Sequence, residues 1–170
     1  RVLFRSTNLN EADKVGAMVV DIGGGTTDIA VLCDTGVVVS ESLRIGGDSF
    51  NEAIIQYVRR KKKLVIGPLT AEEIKISAGT VDRRSEEREV EIRGRDVISG
   101  LPKIVTLHSL EIQRALESQV MSILEAIKYI LEKTPPELVA AIGDHGIILT
   151  GGGALISGLD RVISRSVGIA

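Results

Sequence analysis

The feature that most constrains this chain is an apolar strand that ends in a carboxylate and three glycines. Residues 18–28 read MVVDIGGGTTD. The run from Ala17 to Ile22 is short and β-branched and reads as a buried strand. Asp28 to Cys33 and Val37 to Leu43 read as two more strands, with Asp34-Thr35-Gly36 as the turn between them. Three strands joined by tight turns make an antiparallel meander. That argues against a dinucleotide-binding βαβ unit, where a helix must follow the first glycine loop.

The glycines carry a chemical implication. Gly23, Gly24 and Gly25 permit conformations closed to other residues and let a ligand approach the backbone. Their N–H groups can converge on an anion, and the hydroxyls of Thr26 and Thr27 stand beside them. A carboxylate at Asp21 repels phosphate unless a cation lies between. Mg²⁺ keeps several waters and sits on one or two carboxylates plus phosphate oxygens. A plain hairpin turn is the competing reading of this motif alone. Two further glycine elements weigh against it. ILTGGGA repeats strand-then-glycines at Gly151, Gly152, Gly153 and Ala154, without a charge, and suits a flat uncharged group such as a purine. IGGD places Gly46, Gly47 and Asp48 at the mouth of a helix.

The rest of the chain reads as helices around a polar insert. Ser49 with Glu52, and Thr70 with Glu73, have capping-box spacing. Phe50, Ala53, Ile54, Tyr57 and Val58 repeat at helical spacing, and Arg59–Lys63 forms a basic helix end that suits the macrodipole. Val90 and Ile92 alternate with charges as a half-exposed strand, and 103–107 is its expected partner. Ser109 opens the longest helix, with Ile112, Leu116, Val120, Ile123, Ile127 and Ile130 as its apolar stripe. Pro135-Pro136 ends it, 146–150 reads as a buried strand, and a last helix starts near Leu159. The expected fold class is α/β: a mixed sheet with flanking helices, interrupted by a small α+β subdomain.

Composition narrows the function classes. Hydrophobic residues make up 44% and aromatics 2%, so aliphatic side chains must fill the core. A formal charge of −2 gives no general electrostatic reason to bind nucleic acid. The single Cys33 excludes an internal disulfide and fits a reducing compartment. It is expected to be a buried structural thiol. His108 and His145 lack partners at metal-ligand spacing, and Ser49 and Ser109 read as helix caps rather than nucleophiles. Residues 1–15 form an atypical leader whose first six, RVLFRS, match the translation of a common sequencing-library adapter. The other end stops on an apolar rise toward a next strand and reads as a cut.

The ordered motifs MVVDIGGGTTDIAVL, VVVSESLRIGGDSFNEAIIQYVRR, IGPLTAEEIKISAG, EVEIRGRDVISGLPKIVTL and PPELVAAIGDHGIILTGGGALISGLDRVI resemble the actin/heat-shock-chaperone/sugar-kinase ATPase superfamily. Within it they resemble the bacterial actin family of MreB and Mbl, over nearly the whole chain from about Gly16. The resemblance implies a fragment covering the second large domain of an actin-like ATPase. Residues 16–49 and 113–170 would be its subdomain IIA, and 50–112 its subdomain IIB. Gly23, Gly24, Gly25 and Thr26 would hold the β and γ phosphates of ATP. Asp21 would face the Mg²⁺ water shell, and Thr26 or Thr27 would help position the attacking water. Glu72 and Lys75 would contact ribose and adenine; read without the family, they are a solvated i,i+3 pair. Gly151–Gly153, with Ala154 beside it, would be the adenosine loop.

Asp28 stands where family members often carry Glu, and Ile76 where a polar residue is usual. The resemblance further implies a cytoplasmic homopolymer. Its membrane-associated filaments would scaffold cell-wall synthesis and rod shape, with the elongation machinery as partner and membrane contact through the first domain. Two rivals stay open at this point: a chaperone-type ATPase of the same fold, and a nucleotide-binding filament without turnover.

Overall fold

A computed structural model of the chain describes residues 16–169, so the expectations for the leader lie outside the described residues. The meander forms as β1 (Ala17–Ile22), β2 (Thr27–Cys33) and β3 (Gly36–Leu43). β2 is antiparallel to both neighbours, with Val20 opposite Ile29 and Ala30 opposite Ser40. Met18, Val19, Val20 and Ile22 are all fully buried. A strand covered on both faces needs no alternation, which is why its sequence reads as one apolar run.

Between β3 and the next strand of this sheet lie α1 (Gly47–Lys62), β4 (Leu64–Val65), α2 (Pro68–Ala78), β5 (Glu89–Asp96), β6 (Pro102–His108), α3 (Ser109–Lys133) and α4 (Pro136–His145). Then β7 (Ile147–Thr150) pairs with β1 in parallel, Asp21 opposite Thr150. The sheet order is β3-β2-β1-β7. Parallel neighbours end at the same sheet edge, so the two glycine triplets emerge side by side. A single 3-10 turn (Gly152–Leu155) and α5 (Leu159–Val167) follow.

The charged middle segment folds as expected into a small antiparallel sheet, β4-β5-β6. Ile92 and Leu107 are buried, while Glu89, Glu91, Arg93 and Arg95 are exposed. The α3 stripe is buried throughout, and one continuous apolar cluster joins it to β1, α1, α2 and Leu107 of β6.

Three helix starts differ from the sequence reading. α1 begins after Gly46, so Ser49 is its third residue; its Oγ accepts the Gly46 N–H and donates to the Gly46 carbonyl, both at 2.8 Å. α2 begins at Pro68 rather than Thr70, because proline fixes φ for a first turn and lacks only an N–H that would be unpaired there. α3 has His108 at its N-cap position, with Glu111 accepting the His108 N–H at 3.0 Å. Ser109 instead accepts the Arg88 N–H at 2.9 Å. Cys33 is half-buried rather than buried, because β2 ends there at an exposed turn; its Sγ lies 3.0 Å from the Thr35 hydroxyl.

Candidate functional site

The three glycine elements pack on one another at the end of β1. The Gly47 and Asp48 N–H groups donate to the carbonyls of Gly23 and Gly24 at 2.9 and 2.8 Å. This contact requires a glycine at Gly46, where a Cβ would lie 2.5 Å from the Gly23 oxygen. The first amides of α1 are therefore taken up by the loop and are not open to an anion. The Gly23 N–H closes its own turn onto Thr26. Among the described residues, the amides of Gly24, Gly25 and Thr26 have no acceptor. They are the donors left to meet a ligand, and Gly24 and Gly25 are exposed.

The third loop is seated on the same strand end. Gly151 adopts φ +87°, and a Cβ there would overlap the Ile22 carbonyl and stand 2.5 Å from the Asp21 carboxylate. Only glycine satisfies both the dihedral and the space.

Across from these loops stands α2. Lys75 Nζ lies 2.7 Å from Glu72 Oε2 and donates to the Gly47 carbonyl at 3.2 Å. The Lys75 side chain is only 12% exposed while that of Glu72 is 43% exposed, so the lysine end of the pair is shielded from solvent. Asn51 of α1 donates to the same Glu72 oxygen at 2.6 Å. These contacts hold the Glu72 carboxyl below its ordinary value, with Lys75 the largest cause. Sequence reading missed Asn51, because nothing in its spacing marks it as a neighbour of α2.

One cavity of about 800 Å³ joins these parts. Gly23, Gly24, Gly47, Asp48, Glu72, Lys75, Gly152 and Gly153 all line it. The volume falls within the range of small-molecule sites. The walls include residues that the sequence reading did not assign: Gly79, Arg88, Leu155, Ile156 and Ser157, together with Ile76. Ile76 and Leu155 are 74% and 86% exposed, an unusual state for large aliphatic side chains. Ile76, Leu155 and Ile156 give one part of the cavity apolar walls, whereas the glycine loop gives another part bare amides. Gly25, Thr26, Gly46, Gly151 and Ala154 adjoin this lining in sequence without being part of it, and Asp21 and Thr27 lie outside it as well.

Asp21 lies directly opposite Asp28 across the β1–β2 ladder. Burial, and secondly the Asp28 charge, push its carboxyl above the ordinary value. Like charges in such a pair repel, and a cation between them would relieve both. Thr26 donates to Asp28 at 2.9 Å. Thr27 is fully buried and donates to the Ile45 carbonyl at 2.7 Å, which ties the meander to the loop before α1.

Residues 6–170 match the family model for the MreB/Mbl protein. The chain belongs to the MreB/Mbl family. It is 50% identical over 152 residues to the cell shape-determining protein Mbl of Bacillus subtilis, covering 89% of this chain and 46% of that relative. It is 49% identical over 158 residues to the cell shape-determining protein MreB of Escherichia coli, covering 93% of this chain and again 46% of the relative. The chain thus spans about half the length of the curated relatives it matches. Among solved structures, MreB 5 of Spiroplasma citri bound to AMPPNP superposes with a TM-score of 0.89 at 37% identity, over 95% of this chain and 48% of that one. A MamK double helical filament superposes with a TM-score of 0.72 at 25% identity, over 89% and 46%. The fold is therefore actin-like, and the mixed sheet with flanking helices expected from the sequence is the one observed.

Proposed function

We propose that the full-length protein is an actin-like cytoskeletal ATPase that binds Mg-ATP in this cavity and polymerises into filaments scaffolding cell-wall synthesis and rod shape. One observation carries the reading: Gly23 and Gly24 of the first triplet, Gly152 and Gly153 of the second, and the Glu72–Lys75 pair line a single cavity. The bound AMPPNP of the Spiroplasma relative and the filament of the MamK relative support it. The two-sheet partition supports assigning residues 16–49 and 113–170 to a nucleotide-binding subdomain and 50–112 to a smaller one.

The residues divide the ligand by chemistry. The amides of Gly24, Gly25 and Thr26 face the phosphates, where preorganised donors stabilise developing charge. Glu72 accepts from ribose hydroxyls, and Lys75 holds Glu72 in place. The base lies between the Gly152–Gly153 backbone and the aliphatic walls of Ile76 and Leu155, with Ala154 behind. Asp21 and Asp28 fit a hydrated Mg²⁺, which needs one or two carboxylates rather than a full protein cage. When bound, the ion supplies charge neutralisation at the phosphates. Thr26, whose hydroxyl hydrogen points to Asp28, keeps lone pairs for the attacking water in an in-line displacement. Thr27 holds the loop. By family inference, the filaments are cytoplasmic and membrane-associated, engage the elongation machinery, and reach the membrane through the first domain. Among the described residues, no helix is long and apolar enough to cross a membrane.

Sedimentation and phosphate release, measured together on full-length protein with Mg-ATP, test this. Pelleting with phosphate release is expected. Phosphate without pelleting would favour a chaperone-type ATPase, and pelleting without phosphate a passive scaffold. Absence of nucleotide binding would overturn the site.

A further inference from the structure

One buried carboxylate has no part in the site as described. Asp82 sits on the connector between α2 and β5, with its side chain 2% exposed. Arg161 Nε donates to its Oδ2 at 3.1 Å, Arg165 Nη2 to its Oδ1 at 2.6 Å and Arg165 Nη1 to its Oδ2 at 3.3 Å. The Arg84 N–H donates to its Oδ1 at 3.0 Å. Both arginines belong to α5, the helix that follows the third glycine loop. The Asp82 carboxyl is held down to about 2, chiefly by its Arg165 hydrogen bonds.

Backbone contacts tighten the same junction. Thr80 and Ser157 form a parallel bridge. The Ser157 carbonyl accepts the Val81 N–H at 3.0 Å and the Thr80 hydroxyl at 3.2 Å. Gly158 has φ +85°, and a Cβ there would fall 2.5 Å from the Asp82 Cβ. Asp82 is thus packed against the exit of the glycine loop and pinned to the helix beyond it.

The junction lies directly behind the cavity. Gly79 on one side of it and Ser157 on the other both line the cavity wall. One wall, on α2, carries Glu72, Lys75 and Ile76; the other carries Gly152, Gly153, Leu155 and Ile156. Within the junction, Asp82 supplies the charged link between these two walls. The carboxylate is buried while the Arg161 and Arg165 side chains are 54% and 41% exposed; leaving a buried carboxylate unpaired is costly, so the pairing favours the arrangement that keeps it.

We propose that Asp82 is a positioning residue for the nucleoside end of the ligand, setting the gap between the α2 wall and the adenosine loop through Arg161 and Arg165. The phosphate end is held by other contacts, the Gly23–Thr26 turn on β1 and its backbone bonds from Gly47 and Asp48. This inference rests on the nucleotide reading above.

The test measures two ligands on the full-length protein: Mg-ADP and inorganic Mg-tripolyphosphate. Asp82→Asn is expected to weaken ADP on the order of tenfold, the scale of a small misplacement, and to leave tripolyphosphate binding unchanged. Arg165→Lys keeps the charge but loses the two-point contact. It should weaken ADP less, again without touching tripolyphosphate, and it serves if Asp82→Asn fails to fold. Arg83→Ala, which breaks the exposed pair with Glu117 on the same connector, should leave both affinities as they are. Unchanged ADP binding in both Asp82→Asn and Arg165→Lys, or equal loss of both ligands, would overturn the inference. Failure of the wild-type protein to bind ADP would instead overturn the nucleotide reading itself.

Discussion

Lys75 shows how a residue changes meaning once its neighbours are known. As text it is half of an i,i+3 pair on a helix surface. In the fold it is mostly buried and bridges Glu72 to the Gly47 carbonyl. Lys75→Met should weaken ADP binding by tenfold or more, about 1.4 kcal/mol, with little change in the unliganded melting temperature; calorimetry and thermal denaturation check the two parts. Gly151 is the converse case, a residue defined by what cannot be added. Gly151→Ala meets both a positive φ and the Ile22 carbonyl, so it should cost about 1–3 kcal/mol of stability and weaken nucleotide binding, read by denaturant titration. Asp82 has a pH signature. Its folded carboxyl titrates near 2, below its ordinary 3.8, so its contribution to stability is present above about pH 4 and lost as pH falls toward 2. The stability difference between wild type and Asp82→Asn should shrink across that window in acid-titrated denaturation curves.

At the scale of elements, periodicity was the reliable signal and end signals were not. The α3 stripe is buried as its spacing requires, and Ile127→Ala, at a fully buried position, should cost about 2–5 kcal/mol, measurable by urea unfolding. The helix starts differ from those the sequence suggests because several residues in a row can cap. Ser49 and Thr70 have the right chemistry for an N-cap, yet Gly46 and Gly67 hold that position. The choice is made by contacts outside the helix: α1 starts where its amides meet the Gly23 and Gly24 carbonyls. Cys33 departs from the buried position expected of it for a related reason. Its strand is buried in the middle and exposed at its end, and position along the strand decided its exposure.

At the scale of the molecule, the decisive fact is that β7 joins β1 in parallel. That pairing brings together two glycine loops more than a hundred residues apart in sequence, and it makes one cavity of them. The cavity has unpaired loop amides at one part and aliphatic walls at another. Among the described residues, Asp28 is the one acid or histidine hydrogen-bonded to either threonine side chain of the first loop. Purified by itself, this chain should therefore bind ADP more weakly than the full-length protein and release no phosphate above background. Robust turnover by the chain alone, in a coupled phosphate assay, would contradict that.

The sequence by itself determined the strands, the long amphipathic helix, the polar insert and the three glycine loops. These follow from local chemistry: apolar runs must be covered, apolar stripes must face a core, and glycine runs break a strand into a loop. The pairing of β1 with β7, the burial of Lys75, the Asn51–Glu72 contact and the Asp82 junction were decided only by the tertiary structure. Each depends on which distant segment lies alongside, and no local pattern encodes the neighbour.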